Sequence, residues 1–110
     1  RKLAASYGAQ IMLTPGSEGM KGAVARAEEL RKQTPGAIVA GQFVNPANPR
    51  AHYKTTGPEV WRDTEGTVDF IVAGVGTGGN ISGPAKYLKE QQPSVQGIAV
   101  EPAESAVLEG

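Results

Sequence analysis

The run from Asp69 to Pro102, "DFIVAGVGTGGNISGPAKYLKEQQPSVQGIAVEP", constrains the fold more than any other part of the chain. An apolar segment, a glycine-rich turn, a helix-like stretch and a second apolar segment follow one another. Two strands joined through a helix pair in parallel, and a parallel pair needs helices to cover it. The same alternation extends back toward the N-terminus. "AQIMLT" reads as a short buried strand closed by the turn "PGSEG", and "TPGAIVAGQF" as a turn and strand. Between them "GMKGAVARAEELRKQ" places Met20, Val24, Ala27 and Leu30 on one helical face. Strands are predicted near 10–14, 37–42, 68–74 and 97–101, and helices near 19–33, 50–64 and 80–91. Gly57 and Pro58 predict a kink or break inside the second of these helices. The fold class is α/β, a parallel sheet in a three-layer αβα arrangement. "RKLAASYG" reads as a helix end capped by Gly8, while "SAVLEG" trails off after the last strand, so the chain is taken as an internal segment of a longer protein.

Composition removes several function classes. Eleven basic and eleven acidic residues give no net charge, and no basic cluster matches a nucleic-acid backbone. The absence of cysteine removes disulfides, thiolate metal sites and a cysteine nucleophile, and the single histidine, His52, has no cysteine or second histidine with which to make a metal site. His52 is expected to pack or hydrogen-bond at the start of a helix. No apolar run approaches the roughly 18 residues needed to span a bilayer, which points to a soluble, cytoplasmic chain with no membrane partner.

The loop "GVGTGGN", Gly74 to Asn80, holds four glycines between a strand and a helix. Such a turn presents several backbone N–H groups and a helix N-terminus to one small volume, which is an anion site by geometry. Three readings are open on these residues alone. Gly74, Gly76 and Gly79 satisfy G-x-G-x-x-G, with Glu101 ending the next strand, as in an NAD-binding oxidoreductase domain. The loop also suits the phosphate of a smaller cofactor. The third reading is a tight turn needed only for close packing, in a non-catalytic module. A nucleoside-triphosphate loop is excluded, because Asn80 stands where that motif requires lysine.

Taken with the rest of the chain, the segments "QFVNPANPRAHYKTTGPEVW", "DFIVAGVGTGGNISG" and "IAVEP" resemble the middle of the cysteine synthases (O-acetylserine sulfhydrylases), which are fold-type II pyridoxal-phosphate enzymes. "LTPGSEGMKGAVARAEEL" fits the preceding unit of the same family. The resemblance implies that Gly76, Thr77, Gly78, Gly79 and Asn80 cradle the phosphate of pyridoxal 5'-phosphate. It implies further that Gln42 helps hold the carboxylate of the amino-acid substrate and that Phe43 walls the site. Residues 1–42 would belong to a smaller mobile subdomain and 43–110 to the larger cofactor-binding domain. The complete enzyme would convert O-acetylserine and sulfide to cysteine and acetate by β-elimination and β-replacement, as a homodimer that can dock serine acetyltransferase. Cystathionine β-synthase is the related alternative, against which "TTGPE" leans.

Two positions depart from the family pattern: Gly41 stands where glutamine is common, and Asn80 where threonine is usual, although asparagine can cap a helix. The lysine that carries the cofactor aldehyde lies in an S-x-K-D-R motif in this family. Lys2, Lys21, Lys32, Lys54, Lys86 and Lys89 all stand in other settings, so no catalytic residue is assigned and this segment alone is expected to be inactive. Tyr53 and Trp61 are read as packing residues, Glu28 and Glu29 as a solvated helix face, and Ser82 as a helix residue without a base beside it.

Overall fold

The computed structural model describes residues 1–105 of the chain. It divides into two units, Arg1–Ala40 and Gly41–Gly110. The expectation for "SAVLEG" falls almost wholly outside the described residues.

The first unit contains α1 (Lys2–Ser6), a 3₁₀ turn (Gly16–Glu18) and α2 (Gly19–Gln33). Gly8 takes φ +84° just beyond α1, the left-handed geometry that glycine adopts at no steric cost. Arg26 with Glu29 and Arg31 with Glu28 form 2.8 Å ion pairs at i,i+3 along α2, so both glutamates lie on a solvated face. Of the predicted apolar stripe, Met20 (66%) and Val24 (53%) are exposed, while Ala27 and Leu30 are half-buried. Strands are expected at 10–14 and 37–42, but neither segment forms one: among the described residues the sheet consists of two strands, both in the second unit. A strand exists only through its ladder, and an apolar run without a neighbouring strand stays irregular.

The second unit carries α3 (Ala47–Lys54), α4 (Thr56–Asp63), β1 (Phe70–Gly74), α5 (Gly79–Gln91), β2 (Gln96–Val100) and a 3₁₀ turn (Ala103–Ser105). β1 and β2 pair in parallel with Phe70 opposite Gln96 and Gly74 opposite Val100. The helix predicted over 50–64 is broken, but at Thr55 (φ −119°, ψ −71°) rather than at Gly57–Pro58. Proline in the first turn of a helix displaces no intrahelical bond, so Pro58 is accommodated as the third residue of α4 and the interruption falls just upstream.

Helix α5 is the hub. One side covers the sheet, where Ala85 Cβ meets Gly97, whose opposite number in the ladder is Ile71. Another side packs against α3 and α4. Leu88 and Val95 are fully buried and, with Val68, form the core, against which Val60, Trp61, Ile71 and Tyr87 pack. Burying a leucine side chain stabilises by about 1.5–3 kcal/mol, so Leu88 is the main apolar anchor of α5. The sheet face away from α5 is open, with Phe70 58% and Val72 59% exposed. The described elements are therefore a parallel α/β arrangement with the sheet and one helical side of an αβα fold.

Backbones approach most closely where α5 crosses its neighbours. Gly79 and Gly83, one turn apart, are both buried against α3, and Gly57 of α4 lies against Tyr87. A Cβ at Gly83 would collide with the Pro49 carbonyl and lie 2.8 Å from His52 Cβ and Tyr53 N. Glycine is required there by the neighbouring helix, since the backbone angle itself would admit any residue.

Candidate functional site

The glycine-rich loop lies at the carboxyl edge of the sheet, where ligands of open α/β folds bind. Val75 N–H donates to the Val100 carbonyl at 2.8 Å, which holds the chain to the ladder one residue past β1. The chain then turns through Gly76, Thr77 and Gly78, and Gly78 occupies the N-cap of α5 at φ +81°. That conformation lets the backbone enter the helix abruptly, and the first-turn N–H groups have no intrahelical carbonyl to bond. Asn80 was expected to be able to cap this helix. It is instead the second helical residue, exposed, and its side chain makes no cap bond. Among the described residues nothing accepts from the N–H groups of Asn80 and Ile81, whereas Ser82 N–H already bonds Gly78 O at 2.9 Å.

Thr77 is held from two sides. Its Oγ1 accepts from Asn48 Nδ2 at 2.7 Å and, more weakly, from Gly79 N–H at 3.4 Å. Space around the loop is unequal. A Cβ added at Gly74 or Gly76 meets no atom within 4 Å, while one at Gly79 would collide with the Asn48 carboxamide. The outer rim is thus open to an anion, and the inner side is filled by Asn48. Open space, two unpaired N–H groups, a hydroxyl and the positive end of a 13-residue helix together fit a phosphate.

Gln42 and Phe43 lie in the turn before α3. Gly41 opens that turn at φ +57°, and its carbonyl accepts from Val44 N–H and Asn45 N–H, each at 2.9 Å. A residue with a Cβ would be strained at this angle, which accounts for glycine at 41 in this chain. Asn45 Oδ1 then accepts from Ala47 N–H at 2.9 Å and sets the first turn of α3. Asn48 Nδ2 donates to the Gln42 carbonyl at 3.1 Å as well as to Thr77, so one carboxamide joins the Gln42 turn to the glycine loop. Both side chains assigned to substrate are exposed. Asn48 was not among the residues singled out in the sequence, where only the prolines around it are distinctive.

The remaining candidates occupy other places. His52 lies in the last turn of α3 rather than at a helix start, and its Nδ1 is 2.9 Å from Thr56 Oγ1, bridging the break between α3 and α4. Tyr53 donates to Glu90 at 2.6 Å, meets Tyr87 edge-on at 5.7 Å, and has Lys86 5.4 Å from its ring centre. The hydrogen bond to Glu90, helped by desolvation and the carboxylate's charge, holds the Tyr53 hydroxyl above the usual phenol pKa. Trp61 packs on the core and against Gly66. Ser82 is exposed and borders a groove of about 470 Å³ between α3 and α5, also lined by Arg50, Lys54 and Lys86. That groove includes neither Gln42 nor any residue from Gly76 to Asn80. Among the described residues no three His, Asp or Glu side chains gather as for a metal ion, and no helix is long and apolar enough to cross a membrane.

The dinucleotide pattern is met geometrically too, since β1, α5 and β2 form a parallel unit and Glu101 directly follows β2. Comparison with known proteins decides between the readings. Residues 1–110 match the family described as pyridoxal-phosphate dependent enzyme. A cysteine synthase of Staphylococcus aureus (strain Mu50) is 51% identical over 111 residues, covering 100% of this chain and 36% of the relative. Cysteine synthase 3 of Caenorhabditis elegans is 47% identical over 110 residues, covering 100% of this chain and 33% of the relative. The crystal structure of cysteine synthase from Entamoeba histolytica superposes with a TM-score of 0.90 at 46% identity, over 99% of this chain and 32% of that one. O-ureido-L-serine synthase superposes with a TM-score of 0.89 at 39% identity, over 98% of this chain and 34% of that one. The chain spans about a third of the length of the curated relatives it matches. A match over residues 1–110, which takes in the turn at Gly41, the glycine loop and the parallel unit, places the chain in the pyridoxal-phosphate-dependent enzyme family.

Proposed function

We infer that the chain is the central segment of a pyridoxal-phosphate-dependent cysteine synthase, which converts O-acetylserine and sulfide to cysteine and acetate. The observation that carries the inference is the joining of two loops by one side chain: Asn48 bonds both the Gln42 carbonyl and the Thr77 hydroxyl. A cofactor phosphate at the glycine loop and an amino acid at the Gln42 turn would then be neighbours. The names of the relatives support this choice of substrate, and the extent of the match supports the cofactor.

In this reading the N–H groups and hydroxyl of Gly76, Thr77, Gly78, Gly79 and Asn80 hold the phosphate. Fixed backbone donors suit a dianion, because no side chain must be ordered to make them. The Gln42 carboxamide orients the substrate carboxylate, and Phe43 limits water on that side. Pyridoxal phosphate, when bound, supplies an electron sink for charge at the α-carbon of the amino acid. Residues 1–42 are assigned to a smaller mobile subdomain and 43–110 to the larger cofactor-binding domain.

The test uses the full-length enzyme. Thr77→Ala should weaken cofactor retention by about 1.5–3 kcal/mol, the worth of one hydrogen bond to a charged group, while Ser82→Ala leaves it nearly unchanged. Gln42→Ala should raise the KM for O-acetylserine with cofactor occupancy intact. Equal cofactor affinity in the Thr77 and Ser82 variants would reject the phosphate assignment. Turnover with homocysteine in preference to sulfide would move the protein to the cystathionine β-synthase type.

A further inference from the structure

We propose that Asn48 is a positioning residue that fixes the direction of the Thr77 hydroxyl proton, turning it toward the cofactor phosphate, and that ties this donor to the Gln42 turn. The inference rests on the phosphate assignment above.

The direction follows from what each atom can do. The Gln42 carbonyl oxygen can only accept, so the end of the Asn48 carboxamide 3.1 Å from it must be the NH₂. The same nitrogen lies 2.7 Å from Thr77 Oγ1, and its second hydrogen goes there. Rotating the carboxamide by half a turn would set two acceptors against each other at Gln42, so the orientation is locked. Thr77 Oγ1 therefore accepts from Asn48, and it also accepts from Gly79 N–H at 3.4 Å. A hydroxyl has one hydrogen and two acceptor sites. With both acceptor sites engaged, the hydrogen is left over, and among the described residues no acceptor takes it. It can be given only to something outside the loop, and an anion over Gly76 is the partner that the open rim admits. A threonine free to rotate would act as donor or acceptor indifferently. This one is a donor.

The placement of Asn48 depends on two further features. Asn45 Oδ1 caps Ala47 N–H and Asn45 O accepts from Asn48 N–H at 3.1 Å, so the first turn of α3 is anchored from within its own loop. Gly79 lacks the Cβ that would push the carboxamide away. Loss of either feature would free Thr77 without removing it.

Asn48→Ala, Thr77→Ala and the double variant of the full-length enzyme, each titrated with pyridoxal phosphate after cofactor removal, test this directly. The ³¹P resonance of the bound phosphate provides a readout independent of turnover. Asn48→Ala is expected to raise the cofactor Kd about fivefold to tenfold and Thr77→Ala about tenfold or more, with the double variant no weaker than Thr77→Ala alone. Effects that multiply in the double variant would show Asn48 acting independently of Thr77 and would overturn the proposal. So would an unchanged Kd and ³¹P shift in Asn48→Ala while Thr77→Ala is impaired. An unchanged Kd in Thr77→Ala removes the phosphate assignment itself, and the proposal falls with it. Asn48→Asp keeps the shape and reverses the polarity, so it guards against a simple packing defect. A packing role predicts that aspartate is tolerated better than alanine, whereas proton direction predicts weaker cofactor binding with aspartate than with alanine, compared after each variant's own apo unfolding temperature is taken into account.

Discussion

Replacing Gly83 by alanine sets two opposing effects against each other. In an exposed helix the change would stabilise by roughly 1 kcal/mol through backbone entropy, and a buried methyl would add about 0.8 kcal/mol. Here the new Cβ would lie 2.8 Å from both His52 Cβ and Tyr53 N and closer still to the Pro49 carbonyl. Ordinary contact between such atoms begins at about 3.5 Å, so α3 would have to move by on the order of 1 Å. Two of the three obstructing atoms are backbone, which cannot turn aside as a side-chain tip can. Overpacking of this kind costs about 1–3 kcal/mol and falls near the upper end when backbone must shift. The net expectation is a loss of about 1–2 kcal/mol, read as a lower urea midpoint of the full-length apo-protein with an unchanged m-value. Because Asn48 stands in the first turn of α3, the same shift should lengthen its 2.7 Å bond to Thr77 and weaken cofactor binding several-fold. Gly16→Ala, where a Cβ meets nothing within 4 Å, serves as the control and should be close to neutral. A Gly83→Ala protein as stable as the parent, with the same cofactor affinity, would refute the account of the helix crossing.

Gly57→Ala should be destabilising but milder than Gly83→Ala, because its closest obstruction, Tyr87 Cβ at 2.7 Å, is less severe than the collision of Gly83 with the Pro49 carbonyl; equal urea midpoints for the two variants would contradict this. Tyr53 has its pKa raised by the bond to Glu90, so the neutral phenol is the form that folding favours. Its contribution is complete below the unfolded value of about 10 and is lost as pH rises through the higher folded value, so the stability difference between the parent and Tyr53→Phe should shrink above pH 10. A difference that stays constant from pH 8 to 11 would count against it. Asn80→Thr should leave stability and cofactor affinity nearly unchanged, since residue 80 is exposed and makes no cap bond, and a tenfold change in Kd would show that its side chain touches the phosphate.

The second unit was legible in the sequence because its signals are local and agree with one another. "DFIVAG" and "VQGIAV" are apolar runs bounded by turn residues, and the helix between them begins within one residue of its predicted start. The segments 10–14 and 37–42 carry comparable apolar runs but form no ladder, because strand formation depends on a partner that local sequence does not specify. The glycine loop was legible by motif. Asn48 was not, because its bond to Thr77 spans 29 positions and no periodicity encodes it. Gly41 was noticed only as a departure from the family, and its meaning lay in a φ of +57°. The break at Thr55 was foreseen in kind and misplaced by two residues, because proline early in a helix is less disruptive than proline in its middle.

The glycines of this loop perform different tasks, and the distinction determines which can be replaced. Gly78 serves the backbone, since φ +81° is unfavourable for any residue with a Cβ. Gly79 serves a neighbour, because its missing side chain is the space that the Asn48 carboxamide fills. Gly76 has open space beside it and a backbone free of that φ restriction, so neither strain nor internal crowding demands glycine there. If the loop holds the cofactor phosphate as proposed, a position that the fold would allow to be alanine is constrained by the ligand that approaches it. Alanine at Gly79 should therefore act through Asn48 and Thr77, and alanine at Gly76 through direct exclusion of the phosphate. The two would weaken cofactor binding alike, but only the first should also disturb the Gln42 turn, because Asn48 holds that turn as well.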